Sequence, residues 1–162
     1  MRTFMMAALA VLMAGAAFAA DIISATKARE AALAGEVTLV DIRTPQEWAA
    51  TGVPDVAHAL DMTEESFIRK LLELQQAHPD RPLAMICATG GRSTYVTTAL
   101  EQRGMTGLLN VSEGMAGSKH GPGWLARSLP VRKASEPPVG SRFGRRSHRI
   151  AEKSKTGFSN AT

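Results

Sequence analysis

Apolar residues in this chain gather into short, dense runs separated by segments of mixed polarity, and the spacing inside each run separates strand from helix. Asp21-Ile22-Ile23 is brief and β-prone, and Ser24 can cap a helix that Ala, Lys and Glu favour up to Leu33. In "EVTLVDIR", Val37, Leu39, Val40 and Ile42 form a compact apolar run with an aspartate near its end, which predicts a strand. Pro45 suits the first position of a helical turn reaching Ala49, and Gly52-Val53-Pro54-Asp55 reads as a loop or turn. Val56 to Leu60 fits a second strand. In "TEESFIRKLLELQQAH", Phe67, Leu71 and Leu74 recur at near-helical spacing. Thr63 can cap that helix, Ser66 stands where a capping box would have its glutamate, and Pro79 and Pro82 end it. "LAMICA" is the most buried-looking strand and runs straight into "TGGR". Ser93 to Arg103 returns to helix, Leu108 to Val111 is a last strand, and glycines recur at 114, 117, 121 and 123.

Strands alternating with helices predict an α/β fold of three layers: a small, mostly parallel central sheet with helices on both faces. Ligands of such sheets sit beyond the carboxyl ends of the strands. Asp41 and Arg43 lie at one such end and Cys87 lies at another, so the candidate chemistry gathers at one edge.

The ends of the chain differ from this middle. Residues 1–20, MRTFMMAALAVLMAGAAFAA, carry one charge, Arg2, then an apolar run closed by Ala17-Phe18-Ala19. That is the pattern of a secretory signal peptide, residues 1–19, with a periplasmic or secreted mature protein as the expectation; the apolar run is short for a membrane span. From Arg132 to Thr162 the periodicity disappears. This segment carries eight Lys or Arg against two Glu, whereas residues 21–131 carry ten basic and thirteen acidic residues. Its composition predicts a basic, disordered tail over 132–162. The tail lacks an amphipathic pattern, so membrane contact is expected only through the signal peptide or weakly through this charge. Nucleic acid is not an expected partner of an exported chain.

Cys87 is the only cysteine, so it cannot form an internal disulfide. It is an inert buried thiol, an intermolecular link or a reactive group. The residues after it bear on the choice. Gly90 and Gly91 permit tight curvature and positive φ, and Ser93 or Thr94 can begin the next helix. A loop folded over a helix N-terminus turns N–H groups inward and favours a thiolate or a persulfide. Arg92 could neutralise an anionic substrate, or brace the loop by bonding its carbonyls. Asp41 could cap a turn or accept a bond from an arginine, and Arg43 could pair with Glu47. His58, His78, His120 and His148 show no ligand spacing with the cysteine, and no dinucleotide or P-loop motif is present. Neither a metal nor a cofactor is expected.

"LVDIRTPQEWAATGVP" followed by "MICATGGRS" resembles the rhodanese family, and the resemblance runs from about Ile22 to Val131. It implies a domain over 20–131 and a cysteine that cycles through a persulfide. By this resemblance Cys87 is the sulfur-accepting nucleophile, Ala88, Thr89, Gly90 and Gly91 are its cradle, and Arg92 closes the loop. Asp41 and Arg43 match the family's Asp-x-Arg and are expected to be supporting residues. Trp48, Gly114 and Trp124 match packing positions. The implied activity is sulfur transfer from thiosulfate or a thiol persulfide, through Cys87, to a thiol or cyanide-like acceptor. The alternatives are a carrier that passes sulfur only to a partner protein or a redox-binding module, and a structural domain with an unreactive loop. The loop has four residues between cysteine and arginine, where rhodanese-like phosphatases have five, which favours sulfur over phosphate chemistry. Two departures stand out: Ala88 replaces the basic residue that often follows the cysteine in thiosulfate-using members, and Thr51-Gly52 occupies the usual Gly-His. The longer segment from Gly114 to Trp124, with Lys119 and His120, could bring a positive group to the mouth.

Overall fold

Leu83, Met85 and Cys87 pack with one apolar cluster, and Ala84 and Ile86 pack with another. This period-two alternation, with both sides apolar, makes the strand a central one covered on two faces. The computed structural model describes residues 20–140. Within them, β1 (Asp21–Ile22), β2 (Thr38–Asp41), β4 (His58–Ala59), β5 (Leu83–Ile86) and β6 (Leu108–Asn110) form a parallel sheet in the order β1-β6-β5-β2-β4. On one face lie α1 (Ala25–Ala34) and α5 (Gly123–Ala126), whose Ala25, Ala28 and Trp124 pack with Leu39, Ala84 and Ile86. On the other lie α3 (Phe67–Ala77) and α4 (Gly91–Glu101), whose Phe67, Leu71, Val96 and Leu100 pack with Val40, Ile42 and Met85. Large side chains such as Leu71 and Phe67 contribute about 1.5–3 kcal/mol each by this burial. The three-layer α/β architecture expected from the sequence is the one observed.

Local chemistry sets the helix ends. Ser24 caps α1 by accepting from the Lys27 N–H at 3.3 Å, and Gly35 closes it at φ 76°. Helix α2 (Pro45–Thr51) starts with a capping box: Thr44 accepts from the Glu47 N–H, and Glu47 accepts from the Thr44 N–H. Thr63 does not cap α3. Its N–H and Oγ1 both bond Asp61 Oδ1, at 2.8 and 2.7 Å, which holds residues 61–66 in turns and delays the helix to Phe67. Helix α4 starts earlier than expected, at Gly91, because Gly90 takes a left-handed conformation and its carbonyl accepts from Ser93 and Thr94.

The chain does not leave the domain at residue 131. Strands β3 (Val53–Pro54) and β7 (Val131–Arg132) pair antiparallel, and Val139 N–H bonds the Asp55 carbonyl at 2.8 Å. Arg132 also donates to the carbonyls of Ala57 and Glu136. Residues 132–139 therefore form a strap on the domain, not the start of a loose tail; its charge did not prevent this because Arg132 bonds backbone carbonyls. Residues 141–162 and the expected signal peptide lie outside the described residues. Among the described residues no helix is long and apolar enough to cross a membrane.

His58 lies under this strap, and burial, then the charges of Arg132 and His78, push its imidazole from 6.5 down to about 4. The native state therefore takes up this proton less readily than the unfolded chain. Stability should hold above pH 6.5 and fall between pH 6.5 and 4, by at most about 3 kcal/mol. Urea midpoints across that range should show the fall, and His58→Gln should flatten it; an unchanged slope in the variant would exclude His58 as the cause.

Candidate active site

Cys87 follows β5 on the face that meets α4, so strand alternation alone aims its sulfur at that helix's first turn. Sγ lies 3.4 Å from the Ser93 N–H and 3.6 Å from Ser93 Oγ, and both residues are buried. Ser93 Oγ also donates to the Gly90 carbonyl at 3.0 Å. While that bond holds, the hydroxyl meets the sulfur as an acceptor of the thiol proton; when the sulfur is an anion, the same hydroxyl can turn and donate to it. The α4 dipole adds positive potential at this end. Ser93 was legible only as a helix starter, since its contact with Sγ depends on how tightly residues 88–91 turn.

The turn is held by its neighbours. Met115 N–H bonds the Cys87 carbonyl at 2.9 Å and Ala116 N–H bonds the Ala88 carbonyl at 2.8 Å. Gly90 has φ 87°, and a Cβ there would sit 2.0 Å from the Ser112 carbonyl oxygen. Gly114 has φ 67°, and a Cβ there would sit 2.5 Å from the Ala88 carbonyl oxygen. Gly91 has open space around it. Thr89 is exposed and Ala88 half-buried, so the predicted cradle is a surface turn over a buried sulfur.

Arg92 donates to none of the loop carbonyls. Its guanidinium holds Glu47 with two bonds, 2.8 Å to Oε2 and 2.5 Å to Oε1. These bonds hold the Glu47 carboxyl down at about 2. Arg43 does not take Glu47, the partner its spacing allowed, and Asp41 accepts from an arginine, as it could. Arg43 instead binds Asp41 through Nε and a second nitrogen, Nη2, at 2.7 Å, while Nη1 reaches Thr51 Oγ1 at 2.8 Å and Nη2 also reaches the Gly52 carbonyl at 2.7 Å. Asp41 and Arg43 are 0% and 2% exposed. Burial pushes the Asp41 carboxyl up, against the opposing pull of Arg43. Asp41 lies in register beside Ile86, so this ion pair stands one residue from Cys87 at the carboxyl end of the sheet. The Thr51-Gly52 departure acts here, bracing Arg43.

Glu113 carries no mark in the sequence. Its buried carboxylate accepts from the Ala25 N–H at 2.6 Å, the Gly123 N–H at 2.9 Å and Arg127 Nε at 3.1 Å. Burial pulls the carboxyl up, but these donors outweigh it and hold it below its ordinary value. Trp124 is fully buried, takes its N–H to the Gly114 carbonyl at 3.0 Å and donates its indole N–H to the Pro130 carbonyl at 3.0 Å. Lys119 and His120 are exposed on the next loop, and neither pairs with the Cys87 turn.

The sequence profile of the rhodanese-like domain matches residues 24–120. The chain belongs to the rhodanese-like family. A sulfurtransferase of Allochromatium vinosum is 32% identical over 96 residues, covering 59% of this chain and 78% of that protein. The crystal structure of Rv0390 from M. tuberculosis superimposes with a TM-score of 0.56 at 26% identity, over 72% of this chain and 99% of that one. The polysulfide-sulfur transferase homodimer of Wolinella succinogenes does so with a TM-score of 0.54 at 26% identity, over 72% and 81%. The profile match ends at residue 120, before the strap over 132–139.

Proposed function

We propose that this rhodanese-like protein is a sulfurtransferase in which Cys87 carries the transferred sulfur. The observation behind this reading is the placement of Sγ at the α4 N-terminus, against the Ser93 N–H and hydroxyl. The sulfurtransferase and polysulfide-sulfur transferase named among its relatives support it. The Cys87 thiolate attacks the outer sulfur of thiosulfate or of a thiol persulfide. A Cys87–sulfur bond forms, the donor's sulfur–sulfur bond breaks, and sulfite or a thiolate leaves with the electron pair. An acceptor thiolate or cyanide then attacks the outer sulfur of the persulfide and restores the Cys87 thiolate. The α4 N-terminus stabilises the anion in both states, and Arg92 and the Asp41–Arg43 pair position the loop. The reaction site so placed would work outside the cytoplasm if the N-terminal segment is removed on export.

Intact-mass spectrometry of the purified chain after exposure to each donor tests this. One sulfur atom should be added, removable by a thiol or cyanide, and Cys87→Ala should add none. Failure with both donors would sink the reading. A second reading has its own support: Cys87 is only 1% exposed, which suits a carrier that releases sulfur to a dedicated protein. Loading without release to cyanide would favour that carrier.

A further inference from the structure

The charges around the Cys87 mouth cancel. Arg92 is the cation nearest the turn, and Glu47 occupies it through both carboxylate oxygens. Arg43 is likewise spent on Asp41. Ala88 offers no charge, and Lys119 makes no ion pair or hydrogen bond with the turn. Thiosulfate is a dianion, and with the Cys87 thiolate it concentrates three negative charges in the encounter. A thiol persulfide with an uncharged R group adds no charge to the thiolate's own when protonated, and one when ionised. A mouth without a free cation therefore disfavours the first donor more than the second.

Resting on the sulfurtransferase reading, we propose that Glu47 is a specificity-determining residue: by neutralising Arg92 it directs Cys87 toward thiol persulfides and away from thiosulfate. The favoured step is Cys87–S⁻ attacking the outer sulfur of R–S–SH, giving Cys87–S–SH and R–S⁻. The balance of atoms and electrons needs no oxidant or reductant. Glu47 acts through Arg92, so it is a positioning residue.

The carboxylate also caps α2, so the informative substitution keeps the cap. Glutamine serves a capping box as well as glutamate does. Glu47→Gln therefore preserves the helix start while removing the negative charge from Arg92. Rates of sulfur loading would be read by intact mass at low and high salt, with thiosulfate and with the persulfide of 2-mercaptoethanol, which carries no carboxylate, as probes. The wild type should load faster from the persulfide. In Glu47→Gln the thiosulfate-to-persulfide rate ratio should rise about tenfold at low salt through a lower KM for thiosulfate, and the gain should shrink as salt screens the freed charge. Adding Arg92→Gln should remove the gain. A structural defect would lower both rates, so the gain must appear as a rise in the thiosulfate rate itself and not only in the ratio. An unchanged or lower ratio in Glu47→Gln would overturn the proposal, as would wild-type thiosulfate loading that matches persulfide loading and falls in Lys119→Gln. Absence of loading from both donors in the wild type would instead defeat the sulfurtransferase reading itself.

Discussion

Gly90→Ala is expected to destabilise the domain by about 2–5 kcal/mol and to abolish sulfur loading. The left-handed backbone at φ 87° costs a non-glycine residue about 1–2 kcal/mol. The new methyl group would also sit 2.0 Å from the Ser112 carbonyl oxygen and 2.8 Å from its carbon. Those are backbone atoms of a buried residue, so the turn must move, and forced overpacking adds about 1–3 kcal/mol. Movement of Gly90 displaces the carbonyl that anchors Ser93 and Thr94, and with them the N–H that meets the sulfur. Gly91→Ala is the control. It meets nothing within 4 Å and has no positive φ, so its stability should stay within about 1 kcal/mol of wild type. Urea unfolding of the two variants separates them, and equal midpoints would refute the assignment of the strained position to Gly90.

Asp41→Asn should cost about 3–5 kcal/mol, the penalty of leaving a buried charge without its partner. Arg43 would keep its bonds to Thr51 and Gly52 but lose the carboxylate that neutralises it in a site where it is 2% exposed. The loss is a large share of the 5–15 kcal/mol that holds a typical domain. Asp41→Asn combined with Arg43→Met should recover much of it, because apolar replacement of a whole buried pair is often neutral or stabilising. A double variant as weak as the single one would show that the geometry around Thr51 and Gly52 matters more than the charge. Chemical denaturation of the three proteins supplies the comparison.

The turn around Cys87 was legible in sequence because its information is local: an apolar strand, a cysteine, two glycines and a helix follow each other within a dozen residues. Its partners were not legible. Gly90 and Gly91 look equivalent until Ser112 is brought against one of them by the pairing of β5 and β6. Arg43 and Glu47 are four residues apart and invited pairing, yet each found a partner set by the fold, Asp41 across a tight turn and Arg92 from another helix. The Thr44–Glu47 spacing did contain the capping box, and that box is what orients Glu47 toward Arg92. Two-residue strands such as β3 and β7 carry too few positions to show a period, so the strap was read from composition alone, which measures charge and misses backbone pairing. Glu113 was invisible for a similar reason: its three donors come from two segments distant from each other in sequence, the start of α1 and the short helix α5 with its C-cap Arg127.

One of those donors has a consequence for how the polypeptide reaches its final state. The bond from the Ala25 N–H to Glu113 spans 88 positions, and β1 joins the sheet only through β6. Strand β1 therefore waits for β6, the last strand of the parallel sheet. A nascent chain can assemble β2, β5 and their helices while its leading edge is still unpaired, and the closure entropy of that long loop is overcome only at the end. Until synthesis passes Asn110 and Glu113, β1 has no strand to pair with and the Ala25 N–H has no carboxylate to bond, although α1 can already pack on Leu39 and Ala84.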